Sequence, residues 1–153
     1  MTDSGSISGR TVAVAADHAG VSLKDALADD LREAGAEVID LGTNGTESVD
    51  YPDYGAAMAE AIAAGRAPTG VIVCGTGIGI SIAANRNPAV RAAHCAHTTD
   101  ARLARQHNDA NVLALGARTT GVEVAKDCLR VFLTTAFEGG RHQRRVDKLE
   151  QNR

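Results

Sequence analysis

Cys74 ends the apolar run Gly70-Val71-Ile72-Val73, and Gly75-Thr76-Gly77-Ile78-Gly79 follows it at once. A thiol in that place, beside a turn rich in free backbone N–H groups, can serve as a base next to a cradle for an anion. The glycines let a small ligand approach the main chain closely. A dinucleotide site needs G-x-G-x-x-G/A, whereas position 80 is Ile, and no G-K-[ST] follows for a phosphate loop of the nucleotide-hydrolase kind. A small oxyanion therefore fits the loop better than a nucleotide. The plain alternative for Cys74 is packing, because cysteine is among the most buried residue types. Cys95, inside an expected strand, and Cys128, beside Val124, Leu129 and Val131 on an expected helix, read as packing.

Three further clusters carry reactive side chains. Gln106-His107-Asn108-Asp109-Ala110-Asn111 lies between an expected helix and strand. It reads either as a helix stop satisfied by Asn and Asp, or as the seat of an imidazole that carries protons near neutral pH. His94 and His97 suggest a metal at first sight, but on a strand they point to opposite faces, which disfavours one. Arg141-His142-Gln143-Arg144-Arg145 is the most basic segment. A solvated helix face is the commonest fate of such a run, yet Arg141 and Arg145 share one face at i, i+4 and can converge on a phosphate. Arg118, after the fifth expected strand, can join them.

Alternating elements must hold these clusters. Residues 1–10, Ser- and Gly-rich, read as a flexible lead-in to a single domain over 11–153. Strands are expected at Thr11–Ala16, Glu37–Leu41, Gly70–Cys74, Arg91–Ala96 and Asn111–Leu115. Leu23, Leu27 and Leu31 mark a helix stopped at Gly35. Further helices are expected from Tyr51 to about Ala64, Ile78–Asn85, Thr98–Gln106 (capped by Thr98 or Thr99), Val122 to about Phe137, and Arg141–Gln151. Five strands alternating with helices predict an α/β fold, a single-domain three-layer αβα sandwich over a five-stranded parallel, Rossmann-like sheet, with a C-terminal helix. In such sheets ligands bind at the carboxyl ends of the strands near a topological switch point. Asp17-His18, Cys74-Gly75-Thr76-Gly77 and His97-Thr98-Thr99-Asp100 all sit at strand exits.

Composition limits the partners. The 153 residues hold 44% apolar and only 3% aromatic side chains, with no Trp, so stacking platforms for single-stranded nucleic acid are nearly absent. A net charge of −3 argues against whole-surface attraction to DNA or anionic membrane. Three cysteines without CxxC spacing fit a reducing, cytoplasmic setting, and neither a signal peptide nor a membrane-length apolar run is read.

Ala16-Asp17-His18-Ala19-Gly20, Asp50-Tyr51-Pro52, Cys74 through Asn85, Arg105-Gln106-His107-Asn108-Asp109, Gly116-Ala117-Arg118 and Glu138-Gly139-Gly140-Arg141-His142 together resemble the type B ribose-5-phosphate isomerases, whose family also holds the galactose-6-phosphate isomerase subunits. The likeness runs from about Val12 to Val146. It implies aldose–ketose isomerisation of a sugar phosphate through an enediolate, with neither metal nor cofactor. Some relatives use a glutamate a few positions beyond the cysteine; Gly79-Ile80-Ser81 contains no acid, which favours the cysteine-base branch.

By that resemblance Cys74 takes the C2 proton, and Thr76 relays protons between the two oxygens. Gly75, Gly77 and Gly79 line the oxyanion cradle. His107 opens the furanose ring with help from Asp17. His18, Arg118, Arg141 and Arg145 bind the phosphate, while Asn108 and Tyr51 contact the sugar. The resemblance further implies a homodimer, or a tetramer, with shared active sites, working in the pentose phosphate pathway. The same chemistry on a tetrose, allose or galactose phosphate, a non-catalytic phosphate- or nucleotide-binding module, and a nucleic-acid module are the competing functions.

Overall fold

The structure is a computed structural model and describes residues 5–151. Its sheet holds β1 (Thr11–Ala16), β2 (Glu37–Asp40), β3 (Thr69–Cys74), β4 (Ala92–His94) and β5 (Val112–Gly116) in the order β2-β1-β3-β5-β4, every pair parallel. Around it lie α1 (Val21–Glu33), α2 (Tyr51–Ala63), α3 (Ile78–Ala84), α4 (Thr98–Asn108), α5 (Val122–Thr134) and α6 (Arg141–Gln151).

Continuous apolar strands are what a sheet buried on both faces requires, and strand alternation divides them between two cores. Val12, Val14, Val71, Val73, Leu113 and Leu115 face Leu23, Leu27 and Leu31 of α1 and Leu129 and Phe132 of α5. Ala13, Ala15, Ile72 and Ala114 face Met58 of α2 and Ile80 and Ala84 of α3. Cys74 belongs to this second face, so its side chain points toward the α2–α3 layer. Small residues let that layer sit close. A Cβ on Gly55 would lie 2.7 Å from the Ala83 Cβ, so α2 and α3 touch there through glycine.

β1 has β2 on one side and β3 on the other, and the chain's direction of winding reverses between β1 and β3. The crevice beyond their carboxyl ends is where such a sheet opens for a ligand. Pairing of Ala16 with Val73 brings Asp17-His18 beside Cys74.

Several element ends depart from the sequence expectation by one residue, and those of β4, α4 and α5 by more. β4 spans only three residues because the chain leaves the sheet after Cys95 N–H bonds the Ala114 carbonyl, and Asp100 Oδ2 then accepts the N–H groups of Ala96 and His97. His97, not Thr98 or Thr99, is thereby the N-cap of α4. His97 thus lies beyond the strand, and the opposite-face argument does not apply to it. α4 itself continues through His107 and Asn108 and ends at Asp109, whose φ of 46° is left-handed. α5 stops at Thr134, where the hydroxyls of Thr134 and Thr135 bond back to the Arg130 and Val131 carbonyls while Arg105 draws the Thr135 carbonyl away.

Of the lead-in, residues 1–4 lie outside the described residues. Ile7 is buried against the α1 core, and Gly9 N–H bonds the Gly35 carbonyl, so this part of the lead-in packs against the domain.

Candidate active site

Asp17 closes a single 3-10 turn, His18–Gly20, by accepting the N–H groups of Ala19 and Gly20 on Oδ1 at 3.1 and 3.2 Å. Gly20 is required there, since a Cβ would stand 2.6 Å from the Val73 carbonyl oxygen. This tight turn holds the Asp17 carboxylate, 6% exposed, against the end of β3.

Cys74 lies one strand away, 4% exposed. The Gly77 N–H donates to its sulfur at 3.1 Å, and the Ile78 N–H donates to the Thr76 hydroxyl at 3.2 Å. The loop after β5 runs alongside, with the N–H groups of Ala117 and Arg118 on the carbonyls of Cys74 and Gly75, both at 2.9 Å. Each glycine of the alternating loop has its own reason. The Arg118 guanidinium lies across Gly75, and a Cβ there would be 3.3 Å from Nη1. Gly77 takes a φ of +79° under His94 and Leu115. At Gly79 the Tyr51 ring fills the place of a side chain, 2.7 Å from where a Cβ would stand. The spacing G-x-G-x-G thus reflects two side chains laid over the loop and one left-handed residue beneath it.

Asp17, His18, Tyr51, Cys74, Thr76 and Arg118, with Ala19, Gly75 and Gly79, line one cavity of about 250 Å³. Val49, in the loop before α2, holds His18: its N–H donates to Nδ1 at 3.1 Å, and its carbonyl stands 3.2 Å from the same atom. Arg118 has no carboxylate partner among the described residues. Nine of the residues anticipated from sequence, counting the three glycines, are therefore grouped by the fold, Gly77 lying just beneath the cavity floor.

His107, Asn108, Arg141 and Arg145 are not in that cavity. α4 returns toward the start of β5, and Asn111 at its exit bonds Gly70 N–H at the beginning of β3. The sheet places them at its amino edge, four residues of β3, or roughly 13 Å of strand, from Cys74. There they form a second group. The His107 and His142 rings stack 4.4 Å apart at 13°, and His142 Nε2 lies 3.7 Å from Glu138. Burial, then the charges of His107 and Arg141, lower the pKa of His142, with Glu138 opposing. Sequence reading passed over His142 as a site residue; its i, i+1 place beside Arg141 gave no periodic signal. His107, Glu138 and His142 bring their ligand atoms within 4.8 Å of one another, but parallel rings cannot both aim nitrogen lone pairs at one ion.

This is an α/β protein whose cavity, at the carboxyl edge of the sheet, brings together a thiol, a carboxylate, an imidazole and a guanidinium. The family model described as Ribose/Galactose Isomerase matches residues 12–149, and the chain belongs to that family. It is 46% identical over 140 residues to ribose-5-phosphate isomerase B of Escherichia coli, covering 92% of this chain and 94% of that one. The solved ribose-5-phosphate isomerase B of Clostridium thermocellum superposes with a TM-score of 0.92 at 49% identity, over 93% of this chain and 96% of that one. D-erythrulose-4-phosphate isomerase of Pectobacterium atrosepticum is 41% identical, over 91% and 92% of the two chains.

Proposed function

We propose that the protein is an aldose–ketose isomerase that interconverts ribose 5-phosphate and ribulose 5-phosphate with Cys74 as the base. The carrying observation is the cavity where the Cys74 sulfur, already bonded by Gly77 N–H, meets Asp17, Thr76, His18 and Arg118. A donor aimed at sulfur is what a thiolate base needs beside a developing oxyanion. The thiolate removes the proton from C2 of the open-chain aldose, leaving an enediolate whose oxygens lie against the glycine loop. The Thr76 hydroxyl passes a proton between the two oxygens. Return of the sulfur-borne proton to C1 gives the 2-ketose, with no net change of atoms or charge. Arg118 and His18 supply positive charge or N–H donors to the phosphate.

His107, Asn108, Arg141 and Arg145 stand at the far edge of the same sheet, so their reading as ring-opening and sugar-phosphate groups requires a second copy of the chain. Supporting this, Arg141 and Arg145 are exposed and without carboxylate partners among the described residues, and Ile78 and Ile82 on α3, the helix that follows the glycine loop, are each 52% exposed. The working unit is then a homodimer with two shared sites, in a cytoplasmic pathway that handles pentose phosphates. Among the described residues no helix is long and apolar enough to cross a membrane.

Incubation with ribose 5-phosphate in heavy water, followed by proton NMR, tests the reading. Ribulose 5-phosphate is expected with the native protein and not with Cys74→Ala, and it carries deuterium at C1 to the extent that the Cys74 S–H exchanges with solvent before the proton is returned. Conversion that survives in Cys74→Ala would exclude the thiol base. The Pectobacterium relative favours one rival substrate, a tetrose 4-phosphate, and erythrulose 4-phosphate belongs in the same experiment.

A further inference from the structure

Lys24, on α1, is the one lysine with a wholly buried side chain among the described residues, and the chemistry above does not use it. Its Nζ donates to both oxygens of Asp40 at 2.8 and 2.7 Å and to Asn44 Oδ1 at 2.8 Å, and stands 3.1 Å from Asp25. A buried ammonium is kept only where acceptors surround it, and here they come from α1, the end of β2 and the following loop. That loop is the one that reaches the cavity. Asp40 Oδ1 also accepts Gly42 N–H, and Gly42 and Thr43 pair with Ala16, next to Asp17. Five residues beyond Asn44 the same loop presents the Val49 peptide to His18 Nδ1, and Asp50 then caps α2, which carries Tyr51.

We propose that Lys24 is a positioning residue for His18, acting through Asn44 and the 42–49 loop. The N–H and the carbonyl of Val49 both stand at hydrogen-bond distance from Nδ1, so whichever of them that atom bonds, Val49 engages the ring there and leaves Nε2 as the other nitrogen. Lys24 thereby fixes how the imidazole is presented to an anion in the cavity. The consequence for phosphate rests on the proposed function, whereas the state of the His18 ring does not.

The test uses the full chain labelled with nitrogen-15 histidine. Long-range proton–nitrogen correlations report the His18 ring, assigned with His18→Gln, and titration calorimetry reports inorganic phosphate. Asn44 is exposed, so Asn44→Ala cuts the link without emptying the buried site. The native ring should show one dominant state. Asn44→Ala should show a mixture of ring states and bind phosphate about fivefold more weakly, the equivalent of one lost hydrogen bond. Asn44→Asp keeps the acceptor and should match the native protein in both. Lys24→Met, where it folds, should reproduce Asn44→Ala. An Asn44→Ala protein with the native ring pattern would overturn the proposal. A changed ring with unchanged phosphate affinity would uphold the positioning of His18 and refute its phosphate role.

Discussion

Gly77 joins two demands that no other residue meets together. Its φ of +79° lies in the left-handed region, and its N–H is the donor on the Cys74 sulfur. An added Cβ would stand 2.8 Å from His94 Cδ2 and 2.8 Å from the Leu115 carbonyl carbon, which is backbone and cannot swing aside. Gly77→Ala should therefore cost about 1–2 kcal/mol for the backbone alone, with the overlap added to it. Where the loop shifts to relieve the overlap, the Gly77 N–H moves off the sulfur, and displacement of that preorganised donor should also lower kcat by about 100-fold or more. Chemical denaturation and steady-state rates on the same preparation separate the two. A stable, fully active Gly77→Ala would mean that the loop takes a Cβ at position 77 without moving the donor off the sulfur. At this scale the sequence was informative where a residue's neighbours in space are also its neighbours in sequence. Cys74, Thr76 and the glycines are such a set. Lys24 and Val49 are not, because their importance comes from contacts 16 to 31 residues away along the chain.

Elements were legible for a related reason. A strand buried on both faces must be a short apolar run, and Thr11–Ala16 and Thr69–Cys74 state that directly. The ends that sequence misjudged are settled by distant partners. Asp100 decides where β4 gives way to α4, and Arg105, held to Asp109, the Ala110 carbonyl and Thr135, shapes both the end of α4 and the end of α5. Between α4, α5 and the sheet lie Cys95 and Cys128, which the packing reading placed correctly in the core. Burial, aided by the charge of Asp100, pushes the Cys95 thiol up to about 12, and burial raises Cys128 in the same direction. The sign follows from proton binding. Above pH 9 the unfolded chain releases a thiol proton that the folded chain keeps, so the folded state loses stability until the folded thiol also ionises. Stability should fall between about pH 9 and 12, with a slope of at most about 1.4 kcal/mol per pH unit for each thiol. Cys95→Ala should flatten that fall relative to the native protein in urea melts across this range. Equal slopes in both proteins would mean that Cys95 ionises in the fold as readily as outside it.

The whole molecule presents a division that a single chain does not bridge. One edge of the sheet carries Cys74, Thr76, Asp17, His18 and Arg118, and the other carries His107, Asn108, Arg141 and Arg145, with Arg91 tying α4 to α6 through Asp109 and Glu150. If both groups act on one sugar, two chains must present opposite edges to each other. A two-fold dimer does so twice, giving two equivalent sites. Mixing two inactive variants tests this without a structure of the assembly. In a hybrid of Cys74→Ala with His107→Asn, one site inherits both defects and the other inherits neither. Random reassociation of equal amounts makes half the dimers hybrid, each with one intact site. Two dead proteins should then recover about a quarter of native activity after unfolding and refolding together. Were each site built within one chain, every site in the mixture would keep one defect and the activity would stay at the level of the parents. Recovery to about a quarter, proportional to the hybrid fraction seen by native mass spectrometry, assigns the two edges to one shared site.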